Sequence, residues 1–523
     1  MIRVNGTLPL VFDEAALRNA VAGTLGRKIP ENAPVRVLRL AVDASDKSNI
    51  VYRAAIGITL DAALETSLVR RGKAYEWTKT VSSPIKPAKK PARRPLVIGS
   101  GPAGLFAALI LAEAGTEPIL LERGGDVDSR VRAVEEFNRG GRLDEENNIQ
   151  FGEGGAGSFS DGKLKVGAPD EKKQKVLTTF VKAGAPERIL WDAAAHVGTD
   201  LLRGVVKKIR LAIESLGGKV LFSTKVTDLM IENGAVRGVV CEQNRNRIEL
   251  SADTVILATG HSARDVFRML ASHNIPMEAR PFGIGVRVEH PRRRIDRMVY
   301  GEAPPPALGA ASYHLVTHLS SGRSVYSFCM CPGGSVVAAT SSEGAVVTNG
   351  MSLHARDGEN SNSALLVSVV PEDFGGSPLL GIAFQEKYER LAFDMTGDFR
   401  APAVCMEDFL GRRVGKTFGE VRPTYPRGVT LCGVDDCLPD FATESIRQAI
   451  PEFEAHMPGF FLPDALLTGV ETRSTSPVRI LRNANCETIP GLYVCGEGAG
   501  YAGGIVSSAV DGIRAAESLL KKL

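Results

Sequence analysis

The sequence predicts an α/β fold built around a parallel sheet, with a β-rich insertion and a small α+β domain at the N-terminus. Three observations support this prediction. A glycine-rich turn at 99–104 lies between a short apolar strand and a helix-like segment, which is the order of a strand–helix–strand unit. Between 281 and 424 the hydrophobic pattern changes to strand-like alternation with Gly, Ser and Pro turns. Residues 1–80 combine two helix-like segments with two alternating stretches.

The N-terminal α+β module is predicted at 1–80 and a linker at 81–95. The helix-like segments are Glu14–Leu25 and Ala62–Arg71, and the alternating stretches are 35–42 and 50–58. The linker has prolines at 84, 87, 91 and 95 with five Lys or Arg residues between them. Because closely spaced prolines disfavour both helix and sheet, we predict a stiff, solvated segment. A nucleic-acid-binding or localisation patch is the alternative interpretation of its charge.

The stretch 95–122 predicts a Rossmann-like, dinucleotide-binding unit. The apolar strand 96–98 is followed by Gly99, Gly101 and Gly104 at the spacing G-x-G-x-x-G, and a helix-like segment begins at Leu105. Gly99 permits a tight turn, Gly101 lets backbone N–H groups approach a pyrophosphate, and Gly104 lets the helix pack close to the sheet. Glu122 ends the next apolar strand. Its carboxylate is placed to accept hydrogen bonds from a ribose 2′-OH and would repel a 2′-phosphate.

Three further turns of small residues are predicted to border the same ligand. Gly154 and Gly155 belong to a dense run of glycine and serine at 150–163, which is typical of backbone brought against a ligand. Thr259 and Gly260 follow a buried strand at 254–258. Gly496 opens a glycine run between a strand and the closing helix. Too few residues remain after that run for a second strand and acid, so it must complete the first nucleotide site.

Composition and charge exclude several classes of protein. The 523 residues carry a net charge of +3, which is too small to indicate a nucleic-acid or anionic-membrane partner. No apolar run reaches the roughly 18 residues of a membrane-spanning helix, and the first residues lack the apolar core of a signal peptide. A cytoplasmic protein is therefore expected. The eight cysteines are scattered without zinc-finger spacing, so we predict reduced thiols and no metal site.

Taken together, these motifs resemble a known family of flavoproteins. The turn 99–104 with Glu122, the meander that ends at 258–260, and the segment 495–497 with its closing helix resemble the FAD-binding fold of the glutathione-reductase-type flavoproteins. The strings 471–479 and 496–505 resemble, more closely, the bacterial predicted FAD-dependent dehydrogenases, over nearly the whole chain. The resemblance implies a FAD-binding domain formed by 96–280 and 425–523, interrupted by a β-rich substrate domain at 281–424.

The resemblance also implies which residues hold the cofactor. Gly99, Gly101 and Gly104 would bind the FAD pyrophosphate, Glu122 the adenosine ribose, and the Val226 backbone the adenine. The flavin end would be bordered by an acid bonded to the ribityl chain or pyrophosphate and by the start of the last helix, whose positive end suits a reduced flavin. These residues are Glu497, Gly503, Gly504 and Ile505. The remaining expected cofactor-binding residues are Pro102, Ala103, Arg123, Gly154, Gly155, Thr259, Gly260 and Gly496.

Five side chains are candidates for catalysis, each with a structural alternative. Cys329 and Cys331 would point to one face of a strand, either as a redox pair or as small buried hydrophobes. His261 could donate a proton near the flavin or merely precede a helix. Tyr501 could contact substrate or pack its ring. Arg473 could bind an anionic group or form a structural ion pair.

The predicted function is a FAD-dependent oxidoreductase that exchanges a hydride between flavin N5 and a small-molecule substrate. A dehydrogenase or reductase is the first hypothesis, and a flavin monooxygenase is the second. Because the sequence has no complete second dinucleotide domain, a nicotinamide donor, NAD(P)H, would bind only transiently. A third hypothesis is that the N-terminal module and basic linker dock on RNA, with FAD serving a modification reaction. The sequence names neither the substrate nor the oligomeric state.

Overall fold

The computed structural model describes residues 1–78, 85–164 and 170–523. Residues 81–84 of the predicted linker lie outside the described residues. The N-terminal unit is a four-stranded antiparallel sheet against which two helices pack. Its elements are β1 (Ile2–Leu8), α1 (Glu14–Leu25), β2 (Val35–Asp43), β3 (Val51–Ile58), α2 (Ala62–Arg70) and β4 (Tyr75–Glu76). The strand order is β2-β3-β1-β4.

Residues 85–280 supply most of the second unit. Each of its first parallel strands is connected to the next by a helix or by a longer segment that contains several helices, as expected for a doubly wound sheet. The elements are β5 (Leu96–Ile98), α3 (Pro102–Glu113), β6 (Ile119–Leu121), α4 (Val127–Asn138), α5 (Glu171–Lys182), α6 (Thr199–Ser215), β7 (Lys219–Leu221), β8 (Thr224–Glu232), β9 (Ala235–Gln243), β10 (Asn246–Ser251), β11 (Val255–Leu257), α7 (Arg264–Ser272) and β12 (Met277–Ala279).

The next stretch builds a mostly antiparallel sheet of seven strands. Its elements are β13 (Phe282–Pro291), α8 (Arg292–Tyr300), β14 (Val316–His318), β15 (Ser324–Cys331), β16 (Ser335–Ala338), β17 (Thr348–Met351), β18 (Asn360–Val369), α9 (Pro378–Thr396), β19 (Ala401–Cys405), α10 (Met406–Leu410), β20 (Val429–Leu431), α11 (Asp440–His456) and β21 (Leu466–Glu471). The order is β14-β15-β18-β13-β21-β19-β20, and only β19 and β20 pair in parallel. Since β20 and β21 belong to this sheet, it continues past the boundary predicted at residue 424. Such short strands carry no local sign of which sheet they join.

The C-terminal segment returns to the second unit. It adds β22 (Val478–Ile480), β23 (Glu487–Ile489), β24 (Leu492–Val494) and α12 (Ile505–Leu520). The six-stranded sheet has the order β23-β24-β11-β5-β6-β7, parallel except for β23. Helices α3, α5, α6 and α12 pack on one face, and the antiparallel meander β8-β9-β10 with α7 packs on the other. The predicted α/β fold is thereby confirmed.

The described part of the linker, 85–95, lies against the second unit. Ala88 N donates a hydrogen bond to the carbonyl oxygen of Ala114 at 3.0 Å. Lys90 forms an ion pair with Glu117 at 2.7 Å, and a guanidinium nitrogen of Arg94 is 2.8 Å from the carbonyl oxygen of a glycine after α6. The predicted stiff, solvated segment is thus mostly exposed but attached to the second unit at these points. Among the described helices, none is long and apolar enough to cross a membrane.

Candidate functional site

A cavity of about 580 Å³ opens at the carboxyl ends of β5, β6 and β11. Ile98 and Leu121, the last residues of β5 and β6, line it together with Ala258, which follows β11. Residues of the inserted β-rich segment line it too, among them Cys329 of β15, in the seven-stranded sheet, and Asn349 of β17, which pairs with β16 in a separate sheet. Open α/β sheets bind their ligands at the carboxyl ends of the strands. The cavity is therefore where the sequence leads us to expect a nucleotide.

The glycine turn 99–104 forms one wall of this cavity. Gly99 has a φ of 95°, and a Cβ atom there would lie 2.5 Å from the carbonyl oxygen of Ala258. A Cβ on Gly104 would lie 1.8 Å from the carbonyl oxygen of Gly99. By contrast, a Cβ on Gly101 would meet nothing nearer than the Gly155 Cα atom at 3.9 Å. Gly99 and Gly104 are thus required for packing, whereas Gly101 leaves the backbone open to a ligand.

Two helices begin at the cavity. Pro102 and Ala103 at the start of α3, and Gly504 and Ile505 at the start of α12, all line it. The two helices cross closely, since a Cβ on Gly512 would lie 2.0 Å from the carbonyl oxygen of Ala103. The first turn of a helix leaves backbone N–H groups without intrahelical partners, and its partial positive charge favours anions. The cavity therefore has two sites suited to negative charge.

Glu122 organises the turns around the cavity. Its Oε2 atom accepts hydrogen bonds from Ser100 N at 2.9 Å and from Ser100 Oγ at 2.7 Å. Its Oε1 atom accepts from Gly124 N at 2.9 Å and from Gly152 N at 3.0 Å. A carboxylate offers about four acceptor positions, and the protein uses all of them. The side chain that the sequence assigned to a ribose lines the cavity, but its contacts in the structure tie three turns together.

Arg123 lies at the same end of the cavity and is fixed by two carboxylates. Its guanidinium donates to Glu146 at 2.9 Å and to Asp265 at 3.0 Å. It also lies over the Phe151 ring, 4.2 Å from the centroid. Val226, in β8, lines this end as predicted. The fixed cation and the strand backbone beside it suit the adenosine end of a dinucleotide.

Arg130 is a site-building residue that sequence reasoning missed. It is fully buried, and its guanidinium donates to the carbonyl oxygens of Asn148 and Ile149, both at 2.8 Å. It also donates to those of Glu153 at 2.7 Å and Gly155 at 2.9 Å. The glycine-rich turn is therefore held by one cation. A signal existed, because Arg130 occupies a core-facing position of the amphipathic helix α4.

His261 and Glu497 are neighbours on the cavity wall, with His261 Nδ1 3.7 Å from Glu497 Oε1. Burial, followed by the charges of Arg473 and Arg264, lowers the pKa of His261 to about 4. Burial, followed by the nearby Cys329 thiol, raises the pKa of Glu497 to about 7. The His261 ring is therefore neutral near pH 7, and Glu497 can hold or release a proton there.

Arg473 forms the structural ion pair that the sequence left as one of two alternatives. Its guanidinium donates to Glu389 at 2.9 Å and 3.1 Å and to Ser341 Oγ at 2.6 Å. Arg264 and the Thr472 hydroxyl bind the same carboxylate, each at 2.6 Å. Although burial opposes it, Arg264 and Arg473 hold the pKa of Glu389 well below its usual value. Arg473 still lines the cavity, so this buried cluster joins α7, α9 and the chain after β21 at the site.

Cys329 lines the cavity, and Cys331 is buried behind it. The carbonyl oxygen of Cys329 accepts a hydrogen bond from Arg287 at 2.9 Å. Arg287 is fully buried and pairs with Glu471 at 2.5 Å. The strand that carries the two cysteines is therefore anchored to the middle of the inserted sheet.

Lys163 and Asp161 complete the charged part of the cavity wall. Their side chains form an ion pair at 3.5 Å, and Asp161 also binds Arg356 at 2.5 Å. Within the residues that the structure describes, the Lys163 amine is buried and has no hydrogen-bond acceptor. It is a cation with unused donors, and the sequence analysis did not single it out.

The structure does not place every predicted site residue in the cavity. The further predicted residues that line it are Gly155, Thr259, Gly260, Gly496 and Gly503. Gly104, Gly154 and Tyr501 are not among the described residues that do. A Cβ on Gly154 would lie 2.0 Å from Ser158 Oγ, so Gly154 serves packing. The Tyr501 ring lies 3.8 Å from the guanidinium of Arg482, a contact that favours ring packing, which is one of its two predicted roles.

The residues present fit FAD. Gly101 leaves room for a pyrophosphate at the start of α3, and the start of α12 supplies positive potential for the flavin. His261 Nε2 is buried on the cavity wall without a hydrogen-bond partner among the described residues. A bound cofactor could supply the hydrogen-bond partner that this buried nitrogen lacks. Across the described residues, no group of three or more His, Cys, Asp or Glu is placed to hold a metal ion.

Three family models match the chain. The family described as "FAD-dependent protein, C-terminal domain-like" matches residues 281–474. The family described as "FAD dependent oxidoreductase" matches 191–363, and the one described as "FAD binding domain" matches 94–137. The last match covers the strand, glycine turn and helix from which the sequence predicted a nucleotide site.

The chain is also similar to individual proteins. An uncharacterised protein of Clostridium beijerinckii is 44% identical over 100% of this chain and 99% of its own length. A digeranylgeranylglycerophospholipid reductase of Methanocella arvoryzae is 26% identical over 32% of this chain and 38% of its own length. Among solved structures, a geranylgeranyl bacteriochlorophyll reductase-like protein of Thermoplasma acidophilum is 15% identical, with 82% of this chain and 78% of that chain covered and a TM-score of 0.36.

Proposed function

The chain belongs to the FAD-dependent oxidoreductases, and from that premise we propose that it is a dehydrogenase or reductase acting on a small molecule bound between FAD and the inserted sheet. The observation that carries this proposal is the cavity itself. It joins the starts of α3 and α12 to side chains of the inserted sheet without a break. The nucleotide end and the substrate end are therefore one continuous space.

The residues divide the cavity into three parts. The start of α3, with Gly101 at its tip, would bind the FAD pyrophosphate. Arg123 and Val226 would border the adenosine, and Gly504 with Ile505 would border the flavin. When bound, FAD would supply two-electron chemistry at flavin N5.

The protein's own contribution to the reaction would be made at the substrate end. Glu497 would hold or move a proton, because its pKa lies near neutrality. Lys163 would bind an anionic group of the substrate through its unused donors. Cys329 and Asn349 would contact the substrate from the inserted β-rich segment. A nicotinamide donor would enter this same end transiently, since no second complete dinucleotide unit is formed by the described residues.

Gly101→Val tests where FAD binds. Gly101 has a φ of −68°, which valine adopts freely, and its added Cβ would meet protein only at the Gly155 Cα atom, at an ordinary contact distance of 3.9 Å. We expect the variant to fold with unchanged thermal unfolding of the apo-protein and to lose FAD affinity at least about 100-fold, a loss of about 2.7 kcal/mol. The matched control is Gly204→Val, on the exposed side of α6 where a Cβ meets nothing within 4 Å. Full FAD content in folded Gly101→Val would overturn the assignment.

The reaction class is tested on the holoprotein. Under anaerobic conditions, bleaching of the flavin absorbance by NADH or NADPH, followed by recovery on addition of an acceptor without oxygen, is expected for a dehydrogenase or reductase. If turnover instead requires oxygen and an oxygen atom from labelled O2 appears in the product, the protein is a monooxygenase and the proposal is wrong.

A further inference from the structure

Cys329 and Cys331 lie in an irregular part of β15. The strand pairs with β18 up to Phe328 and again at Cys331, with a register shift between them. Cys329, inside that bulge, has a φ of 43°, in the left-handed region that favours glycine. Bulges redirect side chains and occur next to active sites. Here the bulge places Cys329 on the cavity wall while Cys331 stays buried behind it.

The two cysteines contact each other. Cys331 Sγ donates a hydrogen bond to the carbonyl oxygen of Cys329 at 3.2 Å. The neighbouring Cys331 side chain, with the charges of Lys163 and Arg287 and against the effect of burial, holds the pKa of Cys329 well below its usual value. The pKa of Cys331 is raised well above its usual value, because its proton is held by Cys329 and because it is buried. Of the two thiols, Cys329 is therefore the one that gives up its proton more readily.

Two cations and one carboxylate lie close to this pair. Lys163, on the same cavity wall, and Arg356 share the carboxylate of Asp161, so the cluster carries a net positive charge. The Lys163 amine has no hydrogen-bond acceptor in the described part of the chain. Small disulfides that carry carboxylates would be drawn to such an amine. The arrangement thus combines a nucleophile, a second thiol and an anion-binding group.

We propose that Cys329 and Cys331 are a redox-active pair that reduces a small anionic disulfide and becomes an intramolecular disulfide. The Cys329 thiolate attacks one sulfur of the disulfide RSSR, so that a Cys329–SR bond forms, the RS–SR bond breaks and one RS⁻ leaves. Cys331 then gives up its proton and attacks the Cys329 sulfur, which releases the second RS⁻. The cysteines lose two electrons, which RSSR gains. The two RS⁻ take up the two protons that the cysteines released.

The inference goes beyond the proposed function and does not depend on it, because its readout is the state of two thiols. The lowered pKa of Cys329 distinguishes it from three other cysteines. Cys437 is buried with a raised pKa, and Cys432, with which it could pair, has its pKa raised by burial as well. Cys405 is buried with a raised pKa too and serves as an internal reference for an inert thiol.

The test uses holoprotein treated with oxidised glutathione, followed by alkylation, intact mass measurement and peptide mapping. Wild type should lose two hydrogen atoms, carry no glutathione, and show a Cys329–Cys331 disulfide. Cys331→Ser, and Cys331→Ala as a second variant at this buried position, should retain one glutathione on Cys329. Cys329→Gly should carry none, and it should fold because its φ suits glycine. Alkylation of Cys329 in untreated protein should be at least about tenfold faster than that of Cys405.

Several results would overturn the proposal. The first is that the mass of wild type stays unchanged at concentrations of oxidised glutathione that oxidise a free dithiol. The second is that the glutathione adduct forms on Cys432 or Cys405 in place of Cys329. The third is that Cys329 and Cys405 are alkylated at equal rates. Loss of the mixed disulfide in both Cys331 variants, with FAD content intact, would also overturn it. FAD content is recorded for every variant, so a failure of the cofactor assignment is seen separately.

Discussion

Glu122 lines the ligand cavity, yet its two carboxylate oxygens are fully used in hydrogen bonds to the protein itself. The sequence pattern placed an acid at the end of β6, and that position is occupied as expected. The pattern could not show that four donors from three turns would converge on the carboxylate. Those donors come from residues 100, 124 and 152, which the chain brings together only after folding. The position of Glu122 at the end of a strand was therefore predictable from the sequence, whereas its hydrogen-bond partners were not.

The first prediction is that Glu122→Ala destabilises the apo-protein by about 2–4 kcal/mol, because buried backbone N–H groups lose a charged acceptor. Glu122→Gln should be no milder, since the amide NH2 group would face N–H donors in place of one oxygen. The measurement is urea unfolding of the apo-protein, with FAD affinity recorded beside it. Unchanged apo stability with a weakened FAD affinity would return Glu122 to the ribose-binding role that the sequence suggested.

Glu497 should make stability fall as pH rises. Burial and then Cys329 raise its pKa from 4.5 to about 7, so the folded state binds a proton that the unfolded chain releases. This contribution is present below pH 4.5 and is lost as pH rises through about 7. Relative to Glu497→Gln, which mimics the protonated acid, wild type should lose on the order of 3 kcal/mol of unfolding free energy across that range. Parallel curves for the two apo-proteins in urea unfolding would contradict the raised pKa.

At the scale of elements, short-range patterns predicted helices well. Helix α1 has the bounds predicted from the hydrophobic periodicity, and α2 ends one residue before the predicted Arg71. The hydrophobic periodicity did not predict which sheet a short strand joins, as β20 and β21 show. It also gave no sign that β15 contains a bulge, because a bulge depends on the partner strand β18.

The close crossing of α3 and α12 leads to a prediction for Gly512→Ala. Its Cβ would lie 2.0 Å from the carbonyl oxygen of Ala103, so the helices must separate at a cost of about 1–3 kcal/mol. FAD affinity should fall as well, because both helix starts border the cavity. Gly23→Ala in α1 is the matched control, since its Cβ meets nothing within 4 Å. The control should gain about 0.5–1 kcal/mol from helix propensity. Equal effects of the two substitutions would show that the crossing tolerates a methyl group.

At the scale of the whole molecule, the cavity is assembled by buried charges that connect distant parts of the chain. Glu389 of α9 binds Arg264 of α7 and Arg473 after β21, and Arg287 of β13 binds Glu471 of β21. Removing one partner of such a pair leaves an uncompensated buried charge. The sequence offered Arg473 as a ligand or an ion-pair partner, and only the fold could bring Glu389 to it.

Removing residues 1–84 should leave FAD binding intact. No described residue before Ile98 lines the cavity. The N-terminal unit contacts the rest through two backbone hydrogen bonds of Leu40, with Trp191 and Ala193, at 2.9 Å and 2.8 Å, through a hydrogen bond from Lys47 Nζ to the carbonyl oxygen of Met298 at 2.9 Å, and through Trp191, which packs against its core. We expect FAD affinity within about twofold of wild type, and a loss of about 1–3 kcal/mol of unfolding free energy from the lost hydrogen bonds. Removing residues 1–95 should do more harm, because the ion pair of Lys90 with Glu117 and the other linker contacts on the second unit are lost with it. FAD titration and urea unfolding of both truncated proteins distinguish the two effects. If the shorter truncation stays folded but loses FAD, the N-terminal unit must support the cavity through its contact at Trp191, and the cofactor site would extend beyond the two units that line it.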